Sequence, residues 1–285
     1  MRRVIRFKEW GCDQATMKRP GEAQLSSATS SLKDRDYTLN TDVNGFIING
    51  LLNDRDKRSN ELILLGDSFV ESLFVREDKR INAIIERLSP NSSVINGGYS
   101  GSTSLHLINI ILNKVIPLYP DYVVVFVPTN DQRIQSLENG YWCRDSRLSP
   151  LVPLGRGKIL TDNYKDRVEL RSVYKALRVI NVLLATYNIK HCFATTPHRQ
   201  NVAADDEWAK KVGIDLKRYH RKVTQRRAVN DVCRDFCNEN HIDLIDLESE
   251  VYDSSFFYDD LHLTERASEV VGGILFRELT RNAAL

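Results

Sequence analysis

From residue 61 onward, short apolar runs alternate with segments whose apolar positions recur every three or four residues. The runs cover 61–65, 93–96, 122–127, 191–195 and 242–247. They are brief and often β-branched, the composition of strands buried on both faces. Between them, Ile81, Ile84, Ile85 and Leu88 share one helical face, as do Leu105, Ile108, Leu112, Val115 and Ile116. Val173, Leu177, Ile180 and Leu184 repeat the spacing. A long charged helix is expected over 207–240, and a last one carries Ala267, Val270, Val271, Ile274 and Leu275 on one side. Alternating strands and helices imply a parallel sheet covered on both faces. The expected fold class is α/β: a three-layer α/β/α sandwich, flavodoxin-like, with a five-stranded parallel sheet. Ligands of such sheets sit beyond the carboxyl ends of the strands.

Two stretches interrupt the rhythm. Residues 1–60 are polar and lack a long period. Within them 37–48 reads as a hairpin turning at Asn44-Gly45. They form an N-terminal extension, to be packed on a main domain of 61–285. An insertion at 132–163 holds Tyr141, Trp142 and several arginines. It is too long for a plain connection, and such segments tend to be lids or binding loops.

Charge narrows the partners. With 40 basic against 38 acidic residues, the net charge is +2. Bulk charge therefore gives no support to a nucleic-acid partner or an anionic membrane. A basic stretch, Lys217-Arg218-Tyr219-His220-Arg221-Lys222, is flanked by Asp205, Asp206, Glu207, Asp231 and Asp235, and reads as a solvated helix face. Hydrophobic residues make up 42% and charged ones 27%, a globular balance that excludes disorder of the whole chain. No apolar run approaches a membrane span. The first residues carry charge but no apolar core of a signal peptide, so a cytoplasmic location is expected. The oligomeric state is not legible. Five cysteines at irregular spacing outline no disulfide framework. Cys192 reads as a core thiol. Cys233 and Cys237 stand one helical turn apart, yet no second pair completes a zinc set, so no metal is expected.

Four strand ends carry groups with chemical potential. The first gives Gly66-Asp67-Ser68, a tight turn presenting a hydroxyl at a strand-to-helix junction; Asp and Ser are also ordinary helix caps. The second gives Asn96-Gly97-Gly98-Tyr99-Ser100-Gly101, whose glycines fit neither a phosphate loop nor a dinucleotide fingerprint. The third stops at Pro128-Thr129-Asn130-Asp131, where an amide could serve an oxyanion or simply a turn. The last, Asp259-Asp260-Leu261-His262, sets an aspartate three residues before a histidine, where it can reach the imidazole and fix its tautomer; taken alone, an acidic helix start is the better reading.

Together, in this order, the four pieces resemble the SGNH hydrolases, also called the GDSL esterase/lipase family. The resemblance spans about 61–285. It implies Ser68 as nucleophile, His262 as base and Asp259 as its orienting acid, with Asp260 a competitor. It also implies an oxyanion hole from the Ser68 and Gly101 N–H groups and the Asn130 amide. Pro128 departs from the pattern, which has glycine there. The Asn44-Gly45-Phe46 segment resembles the extension of some bacterial members linked to surface polysaccharides, which implies a carbohydrate O-acetylesterase. The expected substrate is a small-molecule or glycan ester, with no metal or organic cofactor. Trp142, Arg133 and His198 are candidates for contacting a glycan. Two rivals keep the fold: an O-acetyltransferase using the same serine intermediate, and a non-catalytic glycan-binding module.

Overall fold

A computed structural model describes residues 3–49, 60–145, 147–153, 162–165, 167–203, 205–282 and 284–285. Its strands are β1 (Arg3–Ile5), β2 (Ala15–Lys18), β3 (Tyr37–Thr41), β4 (Ile47–Ile48) and β5 (Asn60–Gly66). They continue as β6 (Ser92–Gly98), β7 (Tyr122–Phe126), β8 (Leu151–Pro153), β9 (Lys190–Ala194) and β10 (Leu244–Ile245). The helices begin with α1 (Glu22–Ser26), α2 (Ser68–Glu71), α3 (Ile81–Leu88), α4 (Ser104–Ile110), α5 (Ile116–Leu118) and α6 (Asn130–Gln135). Then come α7 (Leu170–Thr186), α8 (Glu207–Val212), α9 (Leu216–Asn240), α10 (Leu247–Glu250) and α11 (Glu265–Arg281).

The alternation of side chains along a strand divides the core. In β5, Leu62 and Leu64 point into one apolar layer while Ile63 and Leu65 point into the other. Strand β7 does the same with Tyr122, Val124 and Phe126 against Val123 and Val125. Ile81 and Ile85 of α3, with Ala267, Val271 and Leu275 of α11, close the first layer. The second is closed by Ile110 of α4, by Val173, Leu177, Ile180 and Leu184 of α7, and by Val229 and Phe236 of α9. Cys192 is buried in the first layer; Cys233 and Cys237 are buried in the second. The α/β sandwich expectation therefore holds.

The strand count differs from expectation. The five anticipated strands lie parallel in the order β10-β9-β7-β5-β6, but β4, β3 and β2 extend the sheet to eight. Strand β4 docks antiparallel on β6 through Ile47 opposite Asn96. An edge strand exposes unpaired backbone groups, and the hairpin covers them. Its turn forms because Asp42 Oδ1 accepts the N–H groups of Asn44 and Phe46, both at 2.9 Å, while Gly45 takes φ +72°.

Other differences follow from local chemistry. The long charged helix is two, because Gly213 at φ +65° ends α8 and Asp215 caps α9 through the Arg218 N–H at 3.1 Å. After α4 a wider π-helical turn at Ile111–Val115 rotates the chain. Leu107, Ile110, Ile111 and Val115 become buried, and Leu112 is exposed. The insertion packs Ile134, Leu137, Tyr141, Cys143 and Leu148 together, and β8 pairs antiparallel with β1 as a separate two-stranded sheet. Among the described residues, no helix is long and apolar enough to cross a membrane.

Candidate active site

Strand β5 ends at Gly66, and Asp67 caps the short helix that follows by accepting the Phe69 N–H on Oδ1 at 3.0 Å. Ser68 is thus the first residue of α2, half-buried at the strand's carboxyl end. The second oxygen of Asp67 accepts from the Thr129 N–H (2.8 Å), the Thr129 hydroxyl (2.7 Å) and the Asn130 Nδ2 (3.1 Å). One buried carboxylate therefore locks the serine turn to the loop after β7. An amide nitrogen carries two protons, so Asn130 retains one beyond the bond to Asp67.

The loop after β6 is drawn against the same turn. Asn96, fully buried, donates from Nδ2 to the Val70 carbonyl at 2.8 Å and accepts the Gly98 N–H at 2.9 Å. Gly98 has to be glycine: a Cβ there would stand 2.2 Å from the Glu71 backbone nitrogen. The Tyr99 N–H reaches the Gly66 carbonyl at 3.4 Å, and the Ser100 hydroxyl bonds Glu71. Gly101 turns the chain at φ +78°, with Lys8 on its open side, where the ammonium also donates to the Ser100 carbonyl at 3.3 Å.

Opposite, Asp259 organises a tight loop before α11. Its Oδ1 accepts the N–H groups of Leu261 (2.8 Å) and His262 (2.7 Å), and its Oδ2 lies 2.6 Å from His262 Nδ1. That contact places the proton on Nδ1 and leaves Nε2 as the basic nitrogen. The Tyr258 ring stacks on the imidazole, centroids 5.5 Å apart and planes 15° from parallel. Burial opposes a charged imidazole, but the Asp259 charge and hydrogen bond, helped by Asp260 and Asp67, outweigh it and raise the His262 pKa to about 9.

Asp260 faces elsewhere. It pairs with Lys222, and with Arg226 at 2.9 Å. Burial works against its charge, yet the two cations prevail and hold its carboxyl well below the usual range. Of the two adjacent aspartates, Asp259 is the one on the imidazole.

Ser68, Asn130, Asp259 and His262 all line one cavity of about 1000 Å³, and Arg133 lines it with them. The imidazole of His262 bonds Asp259 and makes no hydrogen bond to Ser68. The structure does not bring the remaining candidates to this cavity. Gly101 is not on the cavity lining; a side chain there would meet Lys8 and the Arg147 carbonyl instead. Trp142 is 73% exposed on the insertion and away from the lining. His198 is fully buried beside Glu248, its Nδ1 3.5 Å from Oε1, and burial with the nearby Arg226 pushes its pKa down to about 3.

Sequence reasoning missed three features. The bridging role of Asp67 is hidden because only its cap function is local. The stacking of Tyr258 on His262 follows from a turn geometry that adjacency alone does not give. The basic stretch of α9 is solvated as expected, with Arg218 and Arg221 exposed, but it also borders the cavity through Arg218, Arg221 and Lys222, which local spacing does not reveal.

A hydroxyl at a helix start, an imidazole held by a carboxylate and a spare amide donor around one cavity, on a three-layer α/β frame, belong to the class of ester hydrolases. Residues 64–270 match the GDSL-like lipase/acylhydrolase family, so the chain belongs to that family and is an SGNH-type ester hydrolase. No curated protein matches the sequence. Among solved structures, an acetyl xylan esterase, AlAXEase, superposes with TM-score 0.53 at 16% identity, covering 76% of this chain and 98% of that one. A lipase/acylhydrolase from Enterococcus faecalis gives 0.53 at 17%, covering 79% and 97%. A carbohydrate acetylesterase family member from Sinorhizobium meliloti gives 0.52 at 14%, covering 80% and 100%. At these identities the likeness is one of fold.

Proposed function

We propose that the protein is a serine esterase that removes small acyl groups, O-acetyl above all, from a carbohydrate. The observation that carries this reading is the 2.6 Å contact of Asp259 Oδ2 with His262 Nδ1 at the edge of the cavity that Ser68 also lines. Neutral His262 accepts the Ser68 hydroxyl proton on Nε2 while Oγ bonds to the ester carbonyl carbon. The carbonyl oxygen becomes an oxyanion, held by the Asn130 amide and the Ser68 N–H group. The bond from acyl carbon to sugar oxygen then breaks, and His262 returns the proton to that oxygen. Water repeats the sequence on the acyl-serine, releasing acetate. Asp259 fixes the imidazole and stabilises its cation without taking the proton.

The acetyl and carbohydrate parts of the reading draw on the acetylesterase neighbours and on a cavity large enough for more than an acyl chain. The test is acetate release from p-nitrophenyl acetate and from acetylated xylan, by wild type and by Ser68→Ala. We expect the variant to lose at least about four orders of magnitude in kcat. Equal rates in the two proteins would remove serine catalysis.

A further inference from the structure

Much of the cavity lining is cationic. Arg133, Lys165, Arg218, Arg221, Lys222 and Arg226 belong to it, against three carboxylates, Asp215, Asp259 and Asp260. Four of the six come from α9 at positions 218, 221, 222 and 226, the spacing of one helical face. This face is therefore turned to the cavity as a unit. The chain as a whole carries only +2, so the excess is local rather than a reflection of bulk charge.

Three of these cations, Arg133, Lys165 and Arg218, are not neutralised by a described carboxylate. Lys222 and Arg226 share Asp260, and Asp259 is taken by His262. Asp215 accepts the Arg218 backbone N–H as the cap of α9. Arg133, Lys165 and Arg218 make no ion pair with any described carboxylate. Like charges gathered round a concave surface repel each other, a cost that an anionic ligand relieves. The planar arginine fork also suits paired oxygens of a carboxylate or phosphate. A neutral glycan would need hydrogen-bonding and stacking groups here, not unpaired cations.

We infer that the ester cleaved in this cavity sits on an anionic carbohydrate, one bearing a carboxylate or phosphate that Arg133, Lys165 and Arg218 receive. This rests on the esterase reading above and specifies its substrate class.

The test compares the methyl glycosides of glucuronate, glucose phosphate and glucose, each acetylated at the same hydroxyl, with p-nitrophenyl acetate as a charge-free control. An anionic sugar should exceed neutral glucose in kcat/KM by roughly tenfold at low salt. The advantage should shrink as salt rises. It should collapse towards parity in the combined Arg133→Gln, Lys165→Gln, Arg218→Gln variant. Because the readout is a ratio within one protein, partial misfolding of the variant does not distort it. Which anionic sugar leads identifies carboxylate or phosphate. Parity of all three sugars in the wild type, a preference that survives in the triple variant, or cleavage of the aryl ester with none of the sugars overturns the inference. If even p-nitrophenyl acetate is inert, the esterase reading fails by itself. Calorimetric binding of glucuronate, glucose phosphate and glucose to Ser68→Ala then still decides: tighter binding of an anion supports the cationic subsite, and equal binding overturns it.

Discussion

Asp259 and Asp260 are neighbours in sequence and opposites in use. One side of the cavity is built round Asp259, whose two oxygens collect two backbone N–H groups and the His262 imidazole. The other side is built round Asp260, which gathers Lys222 and Arg226 from α9. Two identical carboxyl groups thus face different partners, and the partners decide what each can do. A carboxylate against an imidazole controls a proton at Nε2. A carboxylate between a lysine and an arginine fixes a helix and leaves the local charge positive. Substitutions at and around the two should separate these roles.

The largest effect belongs to Asp259. Asp259→Asn keeps the shape of the loop but favours the wrong imidazole tautomer, and kcat for acetate release should fall about ten-thousand-fold. Steady-state kinetics on p-nitrophenyl acetate measure it. The same assay on Asp260→Asn should show only a few-fold change. An inactive Asp260→Asn beside an active Asp259→Asn would reverse the assignment.

Next comes Asn130, across the cavity. Asn130→Ala removes the proposed oxyanion donor while Asp67 still holds Thr129, so kcat should fall by about a hundred- to a thousand-fold with little change in KM. A loss confined to KM would mean that the amide binds ground-state substrate rather than the transition state.

How far this site could be read beforehand depends on the range of the forces involved. The five parallel strands were legible because apolar runs such as Tyr122–Phe126 are buried on both faces and need no partner to identify them. The Asn44-Gly45 turn was legible from φ-permissive residues. That β4 joins β6 was not, because a single pairing at Ile47 and Asn96 is a tertiary event. The four strand-end motifs named Ser68, Asn130, Asp259 and His262, and the topology rule placed them at one edge. Cavity membership beyond them was opaque: exposure separates Trp142 from Arg133, and burial removes His198, through packing that no local spacing encodes. The cations of α9 show the same limit. Helical spacing says which of them share a face, and only the assembled fold says what that face meets.

His262 allows a finer test of the Asp259 side. Its pKa is raised to about 9, so at neutral pH most of the imidazole is protonated and cannot act as base. The rate should therefore climb roughly tenfold per pH unit from neutrality and level off near pH 9. The raised value also stabilises the fold. That contribution is complete below the unfolded histidine range, about 6.5, and is lost as pH rises through about 9. In Asp259→Asn both the residual activity limb and the alkaline loss of stability should move to lower pH. Chemical-shift titration of the imidazole reads this directly, and an unmoved titration would show that Asp259 does not set the pKa.

The smallest kinetic effect, and the sharpest contrast, lies with Asp260. Its carboxyl is held below the usual range, so its stabilisation is fully present above about pH 4 and disappears as pH falls further. Asp260→Asn should lower stability at neutral pH by roughly 2 kcal/mol, since it strips a charged partner from the nearly buried Arg226. Denaturant unfolding measures that loss. The same substitution removes a negative charge from the cavity while His262 keeps Asp259. Acetate release from a neutral aryl ester should therefore change only a few-fold, while the preference for anionic over neutral sugars should grow. A protein that loses stability without gaining that preference would show that Lys222 and Arg226 serve only to seat α9, and would limit the cationic subsite to Arg133, Lys165 and Arg218.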